Sequence, residues 1–211
     1  MEIDGSRVIA GYERLGARWT DTGAPIAAHL APGLTAAAVT TAERAAGLLL
    51  PAELALWWRW HDGVRRRQPG TRLGVESRIG VGGWEFLSLA EALAERESML
   101  RVCGRDQHPY PADDADWDGY WRPGWLPVVA FDANLLFVDC DPARRGGASA
   151  VRGWDREPTD VATARAGSWP EVVAVWERLL RERYYVWSAR DGNWLDRWDD
   201  LPPEVRVSGL T

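Results

Sequence analysis

Apolar residues recur at helical spacing near the start of the chain. Val8, Ile9, Tyr12, Leu15 and Trp19 fall at steps of one, three, three and four, which predicts an amphipathic helix over Ser6 to Trp19. Gly23, Pro25, Pro32 and Gly33 then interrupt any regular period. An alanine-rich stretch from Thr35 to Ala46 reads as a second helix, with Thr41 and Glu43 on its polar side and Gly47 at its end. A third helix starts around Leu48 to Glu53 with Pro51 in its first turn, and it carries Leu54, Trp57, Trp58 and Trp60. It is expected to stop at His61-Asp62-Gly63, where Gly63 suits a left-handed cap.

The pattern loosens between Val64 and Gly83, which read as a loop with a short strand near Leu73 to Val75. Trp84 to Leu87 form a short strand or turn, and Ser88-Leu89-Ala90-Glu91 is a capping box that opens a helix to about Val102. Residues 104–120 hold Asp113, Asp114, Asp116 and Asp118 among glycine and proline breakers, and predict a long acidic loop. Trp125 to Phe131, a turn at Asp132-Ala133-Asn134, and Leu135 to Cys140 make a β-hairpin. A turn at Gly146-Gly147 leads to a third strand, Ala150 to Trp154, with a fourth near Asp160 to Thr163. Ser168, with Glu171 three residues on, caps a helix whose stripe is Trp169, Val172, Val173, Trp176, Leu179 and Leu180 and whose end is near Tyr184. The tail keeps Trp187, Trp194, Trp198 and Leu201, so it packs on the domain, and Pro202-Pro203 should break any helix there. Short links between successive strands favour antiparallel neighbours, so the fold class is α+β: a single domain with a mainly antiparallel central sheet flanked by helices.

Composition narrows the function. A chain of 211 residues, 46% hydrophobic, buries a sizeable core without disulfide or metal staples. No stretch is apolar enough to span a bilayer, and the start lacks the basic and apolar regions of a secretory signal, so a cytoplasmic location is expected. The 31 acids outnumber 25 bases, a net charge of -6, which argues against direct nucleic-acid binding. All the bases are arginine, whose planar fork stacks on aromatic faces, and surfaces shared by arginine and tryptophan suit protein partners. Cys103 and Cys140 stand alone without metal-ligand spacing, so unpaired thiols and no cofactor are expected.

Several groups are candidates for chemistry. Asp139 and Asp141 alternate about Cys140 at a strand end, where they either chelate a cation or turn toward solvent; sparse ligands favour the second. The acidic loop with Trp117 and Tyr120 either binds a sugar or metal or is a solvated surface run. His61-Asp62 resemble half of a catalytic triad, but neighbours on a helix diverge and no nucleophile motif accompanies them, so a cap is the simpler role. Arg65-Arg66-Arg67 suit a solvated run better than an anion clamp, and Gly80 to Gly83 lack the features of a phosphate cradle. Of the 14 tryptophans, Trp57, Trp125 and Trp176 sit at core periods, whereas Trp84, Trp117, Trp121, Trp187 and Trp194 lie beside glycine, aspartate or loop residues where binding anchors occur.

The order of landmarks is informative. Leu50-Pro51-Ala52-Glu53-Leu54 leading to His61-Asp62-Gly63, then Phe86 to Ala92, then Trp125 to Val129, then Phe137-Val138-Asp139, resembles the SMI1/KNR4 (SUKH) family. The Gly146-Gly147 turn, the strand ending at Trp154 and the Ser168 helix extend the likeness over residues 36–183, leaving 1–35 as a helical extension and 184–211 as a tryptophan-rich tail. The resemblance implies an α+β domain and a non-enzymatic role: bacterial members are immunity proteins that neutralise polymorphic toxins, and fungal members are scaffolds in cell-wall regulation. Pro51, His61, Asp62, Gly63, Ser88, Trp125, Pro127 and Asp139 match family landmarks and are expected to hold the fold. The partner is then a toxin domain, a basic nuclease being the charge-compatible case, bound by a monomer or weak homodimer without membrane contact. Asp113, Asp114, Asp116, Trp117, Asp118, Trp121 and Trp84 are the expected partner surface. A scaffold on endogenous partners is the first rival, and a glycoside-cleaving enzyme using Asp113 to Asp118, or Asp139 and Asp141, is the second.

Overall fold

Asp4 starts the first helix by accepting the N–H groups of Ser6 and Arg7 on Oδ1, at 3.1 and 3.4 Å. That helix, α1 (Gly5–Asp21), buries Val8, Tyr12, Leu15 and Trp19 on one stripe, as their spacing predicts. A single turn, α2 (Ile26–His29), and a short strand, β1 (Leu30–Pro32), precede α3 (Ala36–Ala46). Thr35 Oγ1 accepts the Ala38 N–H at 3.1 Å to start α3, and Gly47 ends it at φ 63°. The computed structural model of the protein describes residues 4–65, 78, 81–103, 121–132, 134–141, 151–154, 162–206 and 210.

Next comes α4 (Ala52–Trp60), followed directly by β2 (His61–Val64), which pairs antiparallel with β1, Leu30 opposite Val64 and Pro32 opposite His61. The helix stops where expected, with His61 as its C-cap in extended conformation, but the left-handed cap expected at Gly63 does not form. Gly63 does take a left-handed φ of 72°, but inside a strand. The expected strand at Leu73 to Val75 lies outside the described residues.

The main sheet has the order β3 (Glu85–Phe86), β4 (Trp125–Phe131), β5 (Asn134–Asp139), β6 (Val151–Trp154) and β7 (Ala162–Ala166), each antiparallel to its neighbour. Helix α5 (Leu89–Cys103) joins β3 to the hairpin of β4 and β5. Pro127 sits where the β4 register slips by one residue, a position that tolerates a residue without an N–H. The hairpin turn dispenses with glycine because Asp132 itself takes φ 51°.

Helix α6 (Trp169–Arg181) follows. Ser168 makes no side-chain cap bond; Glu171 Oε2 instead accepts the Gly167 N–H at 2.9 Å. The tail folds as a hairpin of β8 (Tyr185–Ser188) and β9 (Asn193–Asp196), then α7 (Pro203–Arg206). Pro203 begins this turn of helix rather than preventing one, since a first-turn proline gives up no intrahelical bond.

Alternation along the strands covers both faces of the sheet. Leu136 and Val138 join the main core with residues of α1, α4 and α6, and that core runs from Val8 to Leu210. Leu135 and Phe137 face the other way, into a second cluster with Trp121, Trp125 and Trp154, against which Met99, Leu100 and Cys103 of α5 pack. Among the described residues, no helix is long and apolar enough to cross a membrane.

Candidate functional site

The His61-Asp62-Gly63 segment clamps the end of α4 to the start of α5. His61 Nδ1 donates to the Ala31 carbonyl at 2.9 Å, and its ring lies 4.5 Å from that of Trp60, centroid to centroid. Asp62 Oδ1 accepts the Leu89 N–H at 2.8 Å, so it caps α5 from a distant strand. Ser88 completes the cap, its Oγ accepting the Glu91 N–H at 3.2 Å while Glu91 Oε2 accepts the Ser88 N–H at 2.9 Å. A Cβ on Gly63 would lie 2.4 Å from the Ser88 nitrogen, so the close crossing requires glycine. Burial raises the Asp62 carboxyl above its ordinary range; the Leu89 N–H opposes that, and nearby Glu91 adds to it. Pro51 stands at the start of α4, its carbonyl accepting from the Leu54 and Ala55 N–H groups.

The Asp139-Cys140-Asp141 strand end is turned inward. Asp139, only 8% exposed, accepts the Trp125 indole N–H on Oδ2 at 3.2 Å and the Asp141 backbone N–H on Oδ1 at 3.0 Å. Both of its oxygens serve the fold, so Asp139 does not turn toward solvent as expected: the Trp125 indole and the Asp141 amide hold its carboxylate inside. Among the described residues, no group of three or more His, Cys, Asp or Glu is placed to hold a metal ion. Cys103 and Cys140 form no disulfide, and the Cys140 thiol donates to the Val138 carbonyl at 3.8 Å.

The tryptophans divide differently from their sequence context. Trp121 is 1% exposed and Trp84 is 5% exposed, so neither offers the surface anchor expected of it. The Trp121 ring packs 5.5 Å from Trp125, 4.8 Å from Phe137 and 5.6 Å from Trp154. Flanking glycine and aspartate locate a chain turn but do not fix which way a ring points. Trp187 and Trp194 are half-buried and meet edge to face at 5.6 Å, and the Trp194 indole donates to the Arg78 carbonyl at 3.0 Å. Asp113, Asp114, Asp116, Trp117, Asp118 and Tyr120 lie outside the described residues, as do Arg66, Arg67 and Gly80.

A cleft of about 280 Å³ opens where the C-terminal ends of α1 and α6 meet β8. Arg18, Arg181 and Arg183 line it against one carboxylate, Asp21, with Val186 and Trp187 along its apolar side. Glu177, with a side chain 10% exposed, holds Arg18 at 2.9 Å with Oε1 and Arg181 at 2.8 Å with Oε2. Sequence reasoning did not single out these arginines, because a basic helix end reads as ordinary dipole compensation.

The landmark order has a counterpart among known proteins: the family model described as SMI1 / KNR4 family (SUKH-1) matches residues 33–201. The chain belongs to the SMI1/KNR4 family. No curated protein matches it closely enough to count as a relative. The SMI1/KNR4 match takes in both clamps, at Asp62 with Leu89 and at Trp125 with Asp139, together with α6 and the tail hairpin. Helix α1 precedes the match yet supplies Tyr12, Leu15 and Trp19 to the same core, so the cleft joins Arg18 and Asp21 outside the match to Arg181, Arg183 and Trp187 within it.

Proposed function

We propose that this SMI1/KNR4 protein is an immunity protein that neutralises a cognate polymorphic toxin by direct, stoichiometric binding in the cytoplasm, without catalysis. Family membership carries the reading. The geometry supports it at two candidate chemical groups: Asp62 is committed to an α5 amide, and Asp139 to an indole and an amide. The acidic net charge of -6 favours encounter with a basic toxin domain such as a nuclease, and the acids from Asp113 to Asp118 concentrate that charge in one run. The working unit is one monomer, or a weak homodimer, per toxin domain.

Co-expression tests this. The protein is produced alongside a toxin domain encoded beside its gene, and host survival and co-purification are read together. Rescue with a 1:1 complex is the expected result. Toxicity that persists despite soluble immunity protein, or a neighbourhood without a toxin, overturns the reading in favour of a scaffold acting on endogenous partners.

A further inference from the structure

Two helices of this protein end in the same way but with different residues. Helix α3 closes with the Gly47 N–H on the Arg44 carbonyl and the Leu48 N–H on the Glu43 carbonyl. Helix α6 closes with the Arg183 N–H on the Leu180 carbonyl and the Tyr184 N–H on the Leu179 carbonyl. Both are Schellman ends, and both put their pivotal residue in the left-handed region, Gly47 at φ 63° and Arg183 at φ 61°. Glycine takes that conformation without strain, whereas arginine places a Cβ against the following carbonyl. A strained residue that persists at a surface turn points to a use for its side chain.

The use is visible in what surrounds it. Arg183 lines the cleft between α1, α6 and β8, and it makes no ion pair with a described residue. Its companions Arg18 and Arg181 are held by the two oxygens of Glu177 and are paired a second time, Arg18 with Asp21 at 2.9 Å and Arg181 with Glu182 at 3.3 Å, so Arg183 is the guanidinium of this lining that no described carboxylate neutralises. Asp21, Glu177 and Glu182 pair with Arg18 and Arg181, so the unneutralised positive charge of the lining is that of Arg183, in a chain whose net charge is -6. Beside them lie Val186 and the half-buried Trp187 ring.

We infer that this cleft docks an acidic segment of a protein partner, one carboxylate meeting Arg183 while an adjacent apolar side chain covers Val186 and Trp187. The apolar wall selects a peptide over a free phosphate, which offers nothing to cover it. The inference rests on the protein-binding reading above but not on the partner being a toxin.

The test titrates the full chain with a fluorescein-labelled peptide of alternating glutamate and leucine, followed by anisotropy, with a glutamine-for-glutamate peptide as control. Arg183→Gly removes the guanidinium and relaxes the turn, so loss of folding does not confound it. It should weaken peptide binding by about 5-fold or more, as expected for loss of a charge-assisted pair. Arg44→Gln, an exposed change on α3, should leave binding within about 2-fold, since surface charges away from a site act weakly through screening solvent. Equal binding by wild type and Arg183→Gly, equal binding of the glutamine peptide, or no binding at millimolar peptide overturns the proposal. Displacement by inorganic phosphate as readily as by unlabelled peptide overturns the acidic segment in favour of a simple anion site. Co-expression with the toxin separates the two readings: an Arg183→Gly protein that loses the peptide yet still rescues keeps the cleft and places the toxin elsewhere.

Discussion

Trp125 and Asp139 stand directly opposite each other on β4 and β5, and the indole N–H of one donates to the carboxylate of the other at 3.2 Å. The same carboxylate accepts the Asp141 N–H on its second oxygen, so one buried side chain ties the strand pair to the backbone just past the end of β5. The guanidiniums of Arg122 and Arg152 lie 5.5 and 5.8 Å from the Trp125 ring.

Asp139→Ala should therefore leave a buried indole and a strand-end amide unpaired, at a cost of about 2–4 kcal/mol. Asp139→Asn keeps one acceptor oxygen and should cost roughly half as much. Urea denaturation of both variants checks this. A loss below about 1 kcal/mol for the alanine change would mean that water replaces the carboxylate.

Gly63→Ala and Gly47→Ala separate two penalties that share a left-handed φ. An added Cβ at Gly47 meets nothing within 4 Å, so the backbone strain it introduces should cost only about 1 kcal/mol of stability. At Gly63 the same atom drives into the Ser88 nitrogen at 2.4 Å, and the total should exceed about 3 kcal/mol. Equal losses in denaturant would show that β2 moves away from α5 without penalty.

Much of this architecture is readable from local signals, and the remainder is not, for reasons that those glycines illustrate. Gly47 and the Ser88–Glu91 box act on their own helix ends, and their roles are visible in a few consecutive residues. The hairpin of β4 and β5 announces itself through two long apolar runs. Gly63 reads as a helix cap because its true constraint, the backbone of Ser88, is far away in sequence. β1 escapes notice because three residues that end in proline have no period to detect, and β9 because Asn193, Leu195 and Asp196 are exposed. The inward turn of Trp84 and Trp121, and the meeting of α1 with α6 around the arginine cleft, are tertiary facts without a local signature.

Trp121→Ala should cost about 3–5 kcal/mol, because it empties a site enclosed by Trp125, Phe137 and Trp154. Any loss of partner binding in that variant would follow the loss of fold. Trp121→Phe refills most of the volume and should recover more than half of the stability. Thermal melts of the pair decide it: a mild alanine effect would return Trp121 to the surface.

Asp62 gives the protein a specific pH dependence. Its carboxyl is raised above the ordinary aspartate value of 3.8, chiefly by burial, so the folded state binds that proton more tightly than the unfolded chain does. Its contribution is present in full below the unfolded value and is lost as pH rises through the folded one. Asp62→Asn removes the titration. On acidification from pH 7 toward 4, wild type should gain stability relative to Asp62→Asn, read as converging or crossing urea midpoints. A gap that stays constant, or that moves against the wild type, would contradict the burial argument.

The strain at Arg183 makes the last expectation opposite in sign to most substitutions. Replacing it by glycine relieves the left-handed Cβ contact, but it also gives the unfolded chain more conformational freedom. Strain outweighs freedom at such a turn, so Arg183→Gly should stabilise the protein by about 0.5–1 kcal/mol. Arg183 belongs to none of the described ion pairs, so no electrostatic loss within the described fold offsets the gain. Arg183→Ala keeps the Cβ and therefore the strain, and should leave stability within about 0.5 kcal/mol of wild type. If glycine and alanine raise the urea midpoint equally, the gain comes from removing charge. If neither does, Arg183 sits at this turn without strain, and the case for a binding role loses its first premise.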